Sequence, residues 1–334
     1  MDGREGEVIR ARYGLDGGQG LTLQAIGDRY GITRERVRQI EAGALGSLRK
    51  KRQAPYFKSF VQKAVSHLKS QGGVEREDQY LENLRKLLRD GGGLAEFSSA
   101  AKFILELSGR VSQFHDPLER DWHPYFYLTH DDKKRAQAFL GRLVHVLGGR
   151  RDEVLKEKKF ESVFKTVAKN LNVKEAVARS FLGVSKKFGT GPFGDFGLLT
   201  WAEVNPITAR DWAYLILKRE KKPLHFSELS KIISEHRKDR RTNLQTIHNE
   251  VIKDERFVLV GRGLYALREH GFVPGTAREI IAHLLEKHGP MPSRRIIELV
   301  KEQRFIKDAT VLINLQNRKH FASLPDGRYS LREA

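Results

Sequence analysis

Residues Leu23 to Glu41 read LQAIGDRYGITRERVRQIE, the pattern of two short helices joined by a tight turn. Gly27 is small where two helices must approach closely, and Gly31 supplies the left-handed backbone that the turn requires. Ile26, Tyr30, Ile32, Val37 and Ile40 are spaced to point into one shared core. Thr22 and Thr33 each stand just ahead of a helix, where a hydroxyl caps unpaired backbone N–H groups. In the second helix Val37, Ile40, Ala44, Leu45 and Leu48 recur at i, i+3, i+7, i+8 and i+11 and mark the buried stripe. The opposite face then carries Arg34, Glu35, Arg38 and Gln39. A helix-turn-helix is expected, because a merely solvated hairpin would not need both glycines and both caps in register.

Arg34 with Arg38, and Glu35 with Gln39, are i, i+4 neighbours at the N-terminal end of the second helix, the end that enters a major groove. Arg donates two bonds to guanine, Gln pairs with adenine and Glu accepts from the cytosine amino group, each good contact discriminating by roughly 1–3 kcal/mol. These four residues are the expected base contacts. Arg36 is rotated off that face and suits a phosphate, and Thr22 and the basic run Lys50, Lys51 and Arg52 are further candidates for the DNA backbone.

Residues 4 to 52 resemble region 4 of the bacterial sigma-70 family. REGEVIRARYGL is similar to the helix preceding the reader, and LTLQAIGDRYGITRERVRQIEAGAL to the reader itself. The segment TRERVRQIE, Thr33 to Glu41, is highly specific to that family. The resemblance implies binding to a −35 promoter element, with Arg34, Glu35, Arg38 and Gln39 at the bases and Arg36 and Thr33 at the backbone. Gly43 and Gly46 stand where the family usually has Lys or Arg. Helix glycines cost about 1 kcal/mol each relative to Ala, so a less stable end to the recognition helix is expected. A sigma factor also has regions that melt the −10 element and anchor polymerase, and these would precede residue 1. The expectation is therefore a stand-alone protein carrying the −35 reader, or the later part of a longer one.

The chain has 334 residues, 61 Lys and Arg against 42 Asp and Glu, a net charge of +19 and a pI near 10.0. The length predicts two or three domains, and the charge a polyanionic partner whose binding weakens steeply with salt. With no cysteine, disulfides and thiolate metal sites are excluded. No apolar run is long enough to span a membrane, and no signal peptide is visible, so a cytoplasmic, nucleoid-associated protein is expected.

An internal repeat organises the C-terminal end. Thr208-Ala209-Arg210-Asp211 recurs as Thr276-Ala277-Arg278-Glu279. Phe257, Gly263, Tyr265, Leu267, Arg268 and Glu269 recur as Phe321, Gly327, Tyr329, Leu331, Arg332 and Glu333, at a constant offset of 64. Lys222-Pro223 corresponds to Gly289-Pro290, and each copy reads as three helices and a β-hairpin, a winged helix. In the first copy the helices are expected at Thr208 to Glu220, Ser227 to Glu235 and Asn243 to Lys253, the third capped by Asn243 or Thr242. Leu244, Ile247, Val251 and Ile252 should face inward. Gln245, Thr246, Asn249 and Lys253 should face outward, with Arg262 at the wing tip, as winged-helix contacts. Asn205 to Gly271, with PLHFSEL and GRGLYAL, resembles the HARE-HTH module, whose family includes the N-terminal domain of the bacterial RNA polymerase delta subunit. That resemblance implies a winged helix used in transcription, binding either polymerase or DNA.

The middle shows helical periodicity in Phe57 to Leu68, Tyr80 to Leu88, Phe97 to Leu107, Arg135 to Leu147 and Phe160 to Leu171. It gives way to aromatic, strand-like stretches at Trp122 to Thr129 and Phe193 to Trp201, an order that echoes the C-terminal copies. The expected fold is mainly α: a helix-turn-helix module over 1–53, a helical middle over 54–204 that includes degenerate winged helices, a winged helix over 205–272 and a second over 273–334. Gly189, Gly191 and Gly194 satisfy GxGxxG but lack the flanking strand and helix of a nucleotide site, and a wing loop explains them better. His115, Asp116, Asp121 and His123 read as scattered surface residues. No nucleophile motif, HExxH or acidic cluster is present, so no catalytic residue, cofactor or metal is assigned. The leading reading is a sequence-specific transcription factor bound to double-stranded DNA and to RNA polymerase. The alternatives are a polymerase accessory protein acting through its winged helices, and a non-catalytic subunit of a DNA-processing system.

Overall fold

Three helices open the chain in the computed structural model, which describes residues 3–237 and 244–332: α1 (Arg4–Tyr13), α2 (Leu23–Tyr30) and α3 (Arg34–Lys50). The Thr22 and Thr33 hydroxyls accept from the N–H groups of Ala25 and Arg36 at 3.1 and 3.2 Å, and Gly31 ends α2 at φ 64°. Val8, Ile26 and Val37 are fully buried at the centre, ringed by Leu21, Tyr30, Ile32 and Ile40. The close approach at Gly27 is to the turn and the head of α3: an added Cβ would lie 2.6 Å from the Ile32 carbonyl oxygen and 3.5 Å from the Arg34 backbone nitrogen. α3 runs unbroken through Gly43 and Gly46. Around them Ala44, Leu45 and Leu48 join a second cluster with Ile9, Tyr13, Leu15 and Phe103, so packing offsets the weak propensity of the glycines.

The chain divides into two units, residues 1–190 with 195–200 and residues 191–194 with 201–334. The first continues with α4 (Pro55–Ser70), β1 (Val74–Arg76), α5 (Glu77–Leu88), α6 (Leu94–Ser108), β2 (Ser112–Phe114) and β3 (Tyr125–Tyr127). Its antiparallel sheet has the order β1-β3-β2 over a core that includes Leu68, Tyr80, Leu84 and Leu105. The buried Glu75 on β1 is held by His67 Nε2 and by Asn83 Nδ2, each at 2.8 Å. α7 (His130–Gly148), α8 (Arg151–Lys156), α9 (Phe160–Asn170) and α10 (Glu175–Gly183) follow, then the hairpin β4 (Phe188–Thr190) and β5 (Phe196–Leu198). The periodic segments read from the sequence coincide with α4, α5, α6, α7 and α9, and the two aromatic stretches contain β3 and β5.

The second unit holds two winged helices. α11 (Ala209–Glu220), β6 (Leu224–His225), α12 (Phe226–His236), α13 (Leu244–Ile252), β7 (Phe257–Gly261) and β8 (Leu264–Leu267) form the first. α14 (Ala277–His288), β9 (Met291–Pro292), α15 (Ser293–Gln303), α16 (Asp308–Leu315), β10 (Phe321–Ser323) and β11 (Arg328–Leu331) form the second. Both sheets place the last strand in the centre, β6-β8-β7 and β9-β11-β10, as β1-β3-β2 does. The repeated residues occupy matching places: Phe257 pairs with Leu267 and Phe321 with Leu331. Gly263 and Gly327 turn at φ 67° and 81°. A Cβ on Gly263 would also lie 2.5 Å from His225 Nε2, so space and backbone both demand glycine.

One inward assignment is corrected. Ile247 and Val251 are fully buried, but Ile252 is 56% exposed, because at the last turn of α13 it faces away from the core. The expected caps Thr242 and Asn243 lie outside the described residues, as does the side chain of Leu244. The two copies are also tied together. Arg304, only 4% exposed, donates to the carbonyls of Val273 and Gly275 in the connecting segment. The Phe305 N–H donates to the Val260 carbonyl on edge strand β7 at 2.7 Å.

Candidate nucleic-acid interface

Because Thr33 caps α3, the helix begins at Arg34 and its first turns present Arg34, Glu35, Arg36, Arg38 and Gln39 to solvent. The short side-chain bonds run i, i+3, while Glu35 also interacts with its i, i+4 neighbour Gln39. Arg38 Nε and Nη2 donate to the two Glu35 carboxylate oxygens at 2.9 and 2.7 Å, and Arg36 Nη1 donates to Gln39 Oε1 at 3.2 Å. The reason is charge: Arg34 and Arg38 repel, whereas the i, i+3 neighbours of Arg38 and Arg36 offer acceptors. The bond from Arg38 holds the Glu35 carboxyl below the usual carboxylate range and raises the Arg38 guanidinium. Both side chains are exposed, and exposed pairs of this kind contribute little to stability.

Residues beneath this face fix its orientation, and the sequence pattern did not reveal them. Arg12 on α1 bridges to Glu41 on α3 at 3.2 Å and donates to the Leu21 carbonyl at 2.9 Å. Arg4 donates to the Tyr30 carbonyl at 3.1 Å. Tyr13 packs its ring 4.5 Å from that of Phe103 on α6, and burial, then Glu106 and Glu41, pushes its phenol up to about 12. Removing the cap at the head of the reading helix should be felt directly. Thr33→Ala is expected to cost about 1 kcal/mol in urea unfolding of the full chain, while Thr33→Asp should retain most of the stability.

The remaining candidates are more dispersed. Lys50 and Lys51 are exposed, but Arg52 is half-buried and its Nε has no hydrogen-bond partner, so it is less available to a phosphate than its neighbours. In the second unit Gln245, Asn249 and Lys253 are exposed on or just beyond α13, with Gln245 Nε2 donating to Asn249 Oδ1 at 3.1 Å. Arg262 is exposed between β7 and β8, and the side chain of Thr246 lies outside the described residues. Gly189, Gly191 and Gly194 fall in the β4–β5 hairpin and its turn, not between a strand and a helix. Asp121 is engaged by Lys187 at 2.8 Å, and among the described residues no group of three His, Asp or Glu is placed to hold a metal ion. Among them, too, no helix is long and apolar enough to cross a membrane.

A three-helix unit with both caps in place and an exposed polar face on its last helix defines a helix-turn-helix module. Residues 1–50 match the family Sigma-70, region 4. The RNA polymerase sigma factor SigA of Listeria monocytogenes, of Listeria innocua and of a Bacillus species are each 48% identical over 59 residues, which is 18% of this chain and 16% of theirs. The chain thus spans about a sixth of the length of these curated relatives, and the family match covers its N-terminal module.

Proposed function

We propose that the protein is a sequence-specific DNA-binding transcription factor that reads a −35-like promoter element through α3 and acts in transcription initiation or its regulation. The observation that carries this reading is the outward face of α3, in a segment that matches sigma-70 region 4. In this reading Arg34, Glu35, Arg38 and Gln39 contact bases, and Thr22, Thr33, Arg36, Lys50 and Lys51 contact the backbone. The net charge of +19 supports a polyanionic partner. The winged helices add contacts to DNA, through Gln245, Asn249, Lys253 and Arg262, or to RNA polymerase. Tethering such modules raises affinity through effective concentration, and the HARE-HTH resemblance of residues 205–271 favours a role in transcription.

The test is selection of bound sequences from random double-stranded DNA by the purified chain at near-physiological salt. Enrichment of a TTGACA-like element is expected. Salt-sensitive binding without any enriched sequence would overturn −35 reading and favour a polymerase-accessory role.

A further inference from the structure

In a winged helix the third helix is the one that enters a groove, and α13 carries the polar outward residues this needs. α16 does not: its sequence, DATVLINL, contains no Lys or Arg. Val311 and Leu315 point into the module at 0% and 2% exposure. Ala309, Leu312, Ile313 and Gln316 fall at i, i+3, i+4 and i+7 on the outer face, where Leu312 and Ile313 are 39% and 66% exposed. The outer face of α16 thus carries two adjacent exposed aliphatic side chains among the polar Asp308, Thr310 and Gln316. Asp308, paired with Lys301 at 2.5 Å, occupies the helix N-terminus, where a phosphate would otherwise bind. At the other end of the ridge the charge reverses. Arg318 and Lys319, just past Gln316 and Asn317 at the end of α16, are exposed. Arg332 donates to the Arg318 carbonyl at 2.7 Å, and Arg278 reaches the His320 ring at 3.3 Å.

We propose that this surface docks an acidic amphipathic helix of a partner protein, its apolar stripe on Leu312 and Ile313 and its carboxylates on Arg278, Arg318, Lys319 and Arg332. Helix recognition of this kind reads anchors at i, i+3, i+4 and i+7. Charge selects the occupant. A second copy of the chain would bring a like-charged cluster and a net charge of +19 against itself, and duplex DNA would bring phosphates against two exposed aliphatic side chains. The proposal does not rest on −35 reading by α3.

The test uses the full chain and a labelled synthetic peptide of about five helical turns, with Leu at i, i+3, i+4 and i+7 and Glu elsewhere. One control has the same composition with its leucines spread round the helix; the other has Lys in place of Glu. The acidic amphipathic peptide is expected to bind about tenfold more tightly than either control. Ile313→Asp, at an exposed position, should remove that margin while leaving circular dichroism unchanged, and Arg318→Glu should reduce it. Equal binding of the spread-leucine peptide, or an unchanged margin in Ile313→Asp, overturns the proposal. Displacement of the peptide by duplex DNA from the wild-type surface, or dimerisation that Ile313→Asp abolishes, would overturn it in favour of DNA or of a second copy.

Discussion

Phe103→Ala is expected to destabilise the N-terminal unit by about 3–5 kcal/mol, although Phe103 lies far in sequence from the helix-turn-helix. The ring is 8% exposed and packs in one cluster with Ile9, Tyr13, Ala44, Leu45 and Leu48. Truncation would leave a cavity beneath α1 and the C-terminal half of α3, the part of the helix that contains Gly43 and Gly46. Those glycines give the backbone little local support, so the helix end depends on this contact. Against a typical total stability of 5–15 kcal/mol, such a loss is large. Urea unfolding of the full chain measures it, and a loss below about 1 kcal/mol would show that α6 does not support the reader. DNA affinity should fall with the folded fraction while the preferred sequence stays the same. For the same reason an isolated fragment of residues 1–53 is expected to be less helical than the same segment in the full chain.

The second large effect concerns binding. Arg38→Ala is expected to cost about 1–3 kcal/mol on the preferred DNA and to relax specificity at one base position, whereas Arg36→Ala should weaken binding to all sequences alike and reduce the salt slope by about 1. The pairing of Arg38 with Glu35 adds a complication that the sequence did not show. Removing Arg38 takes from the Glu35 carboxylate its main cationic partner, so part of the loss would be repulsion from the phosphates and not a missing base contact. A cycle with Glu35→Ala and the double variant separates the two contributions. If Arg38→Ala and Arg36→Ala both lost affinity equally on every DNA, the base-reading assignment would fail.

Legibility varied along the chain for identifiable reasons. The capping box that opens α11 and α14, Thr208 with Asp211 and Thr276 with Glu279, also opens α7 as Thr129 with Asp132. The first two segments stood out as a repeat because flanking residues recur with them, although their caps were not read; the third has no such company. β1, β2, β6 and β9 are two or three residues long, too short for alternation to register. Each becomes recognisable only through its partner strand. The exposed ridge of α16 was invisible for the opposite reason. Leu312 and Ile313 look like core residues in any periodicity count, and only the placement of α14 and α15 decides which apolar face is covered.

Short-range interactions could be read from the residues directly. The caps at Thr22 and Thr33 and the left-handed turn at Gly31 each depend on residues within a few positions, so local composition determined them. Long-range contacts could not. Phe103 beneath the reader, Arg12 against Glu41, Arg304 on the connecting segment and the outward Ile252 join or orient residues through the packing of distant elements. No spacing along the chain encodes such a contact. Its stabilisation comes from surface removed from water and from polar groups paired in space, and both exist only once the helices have docked.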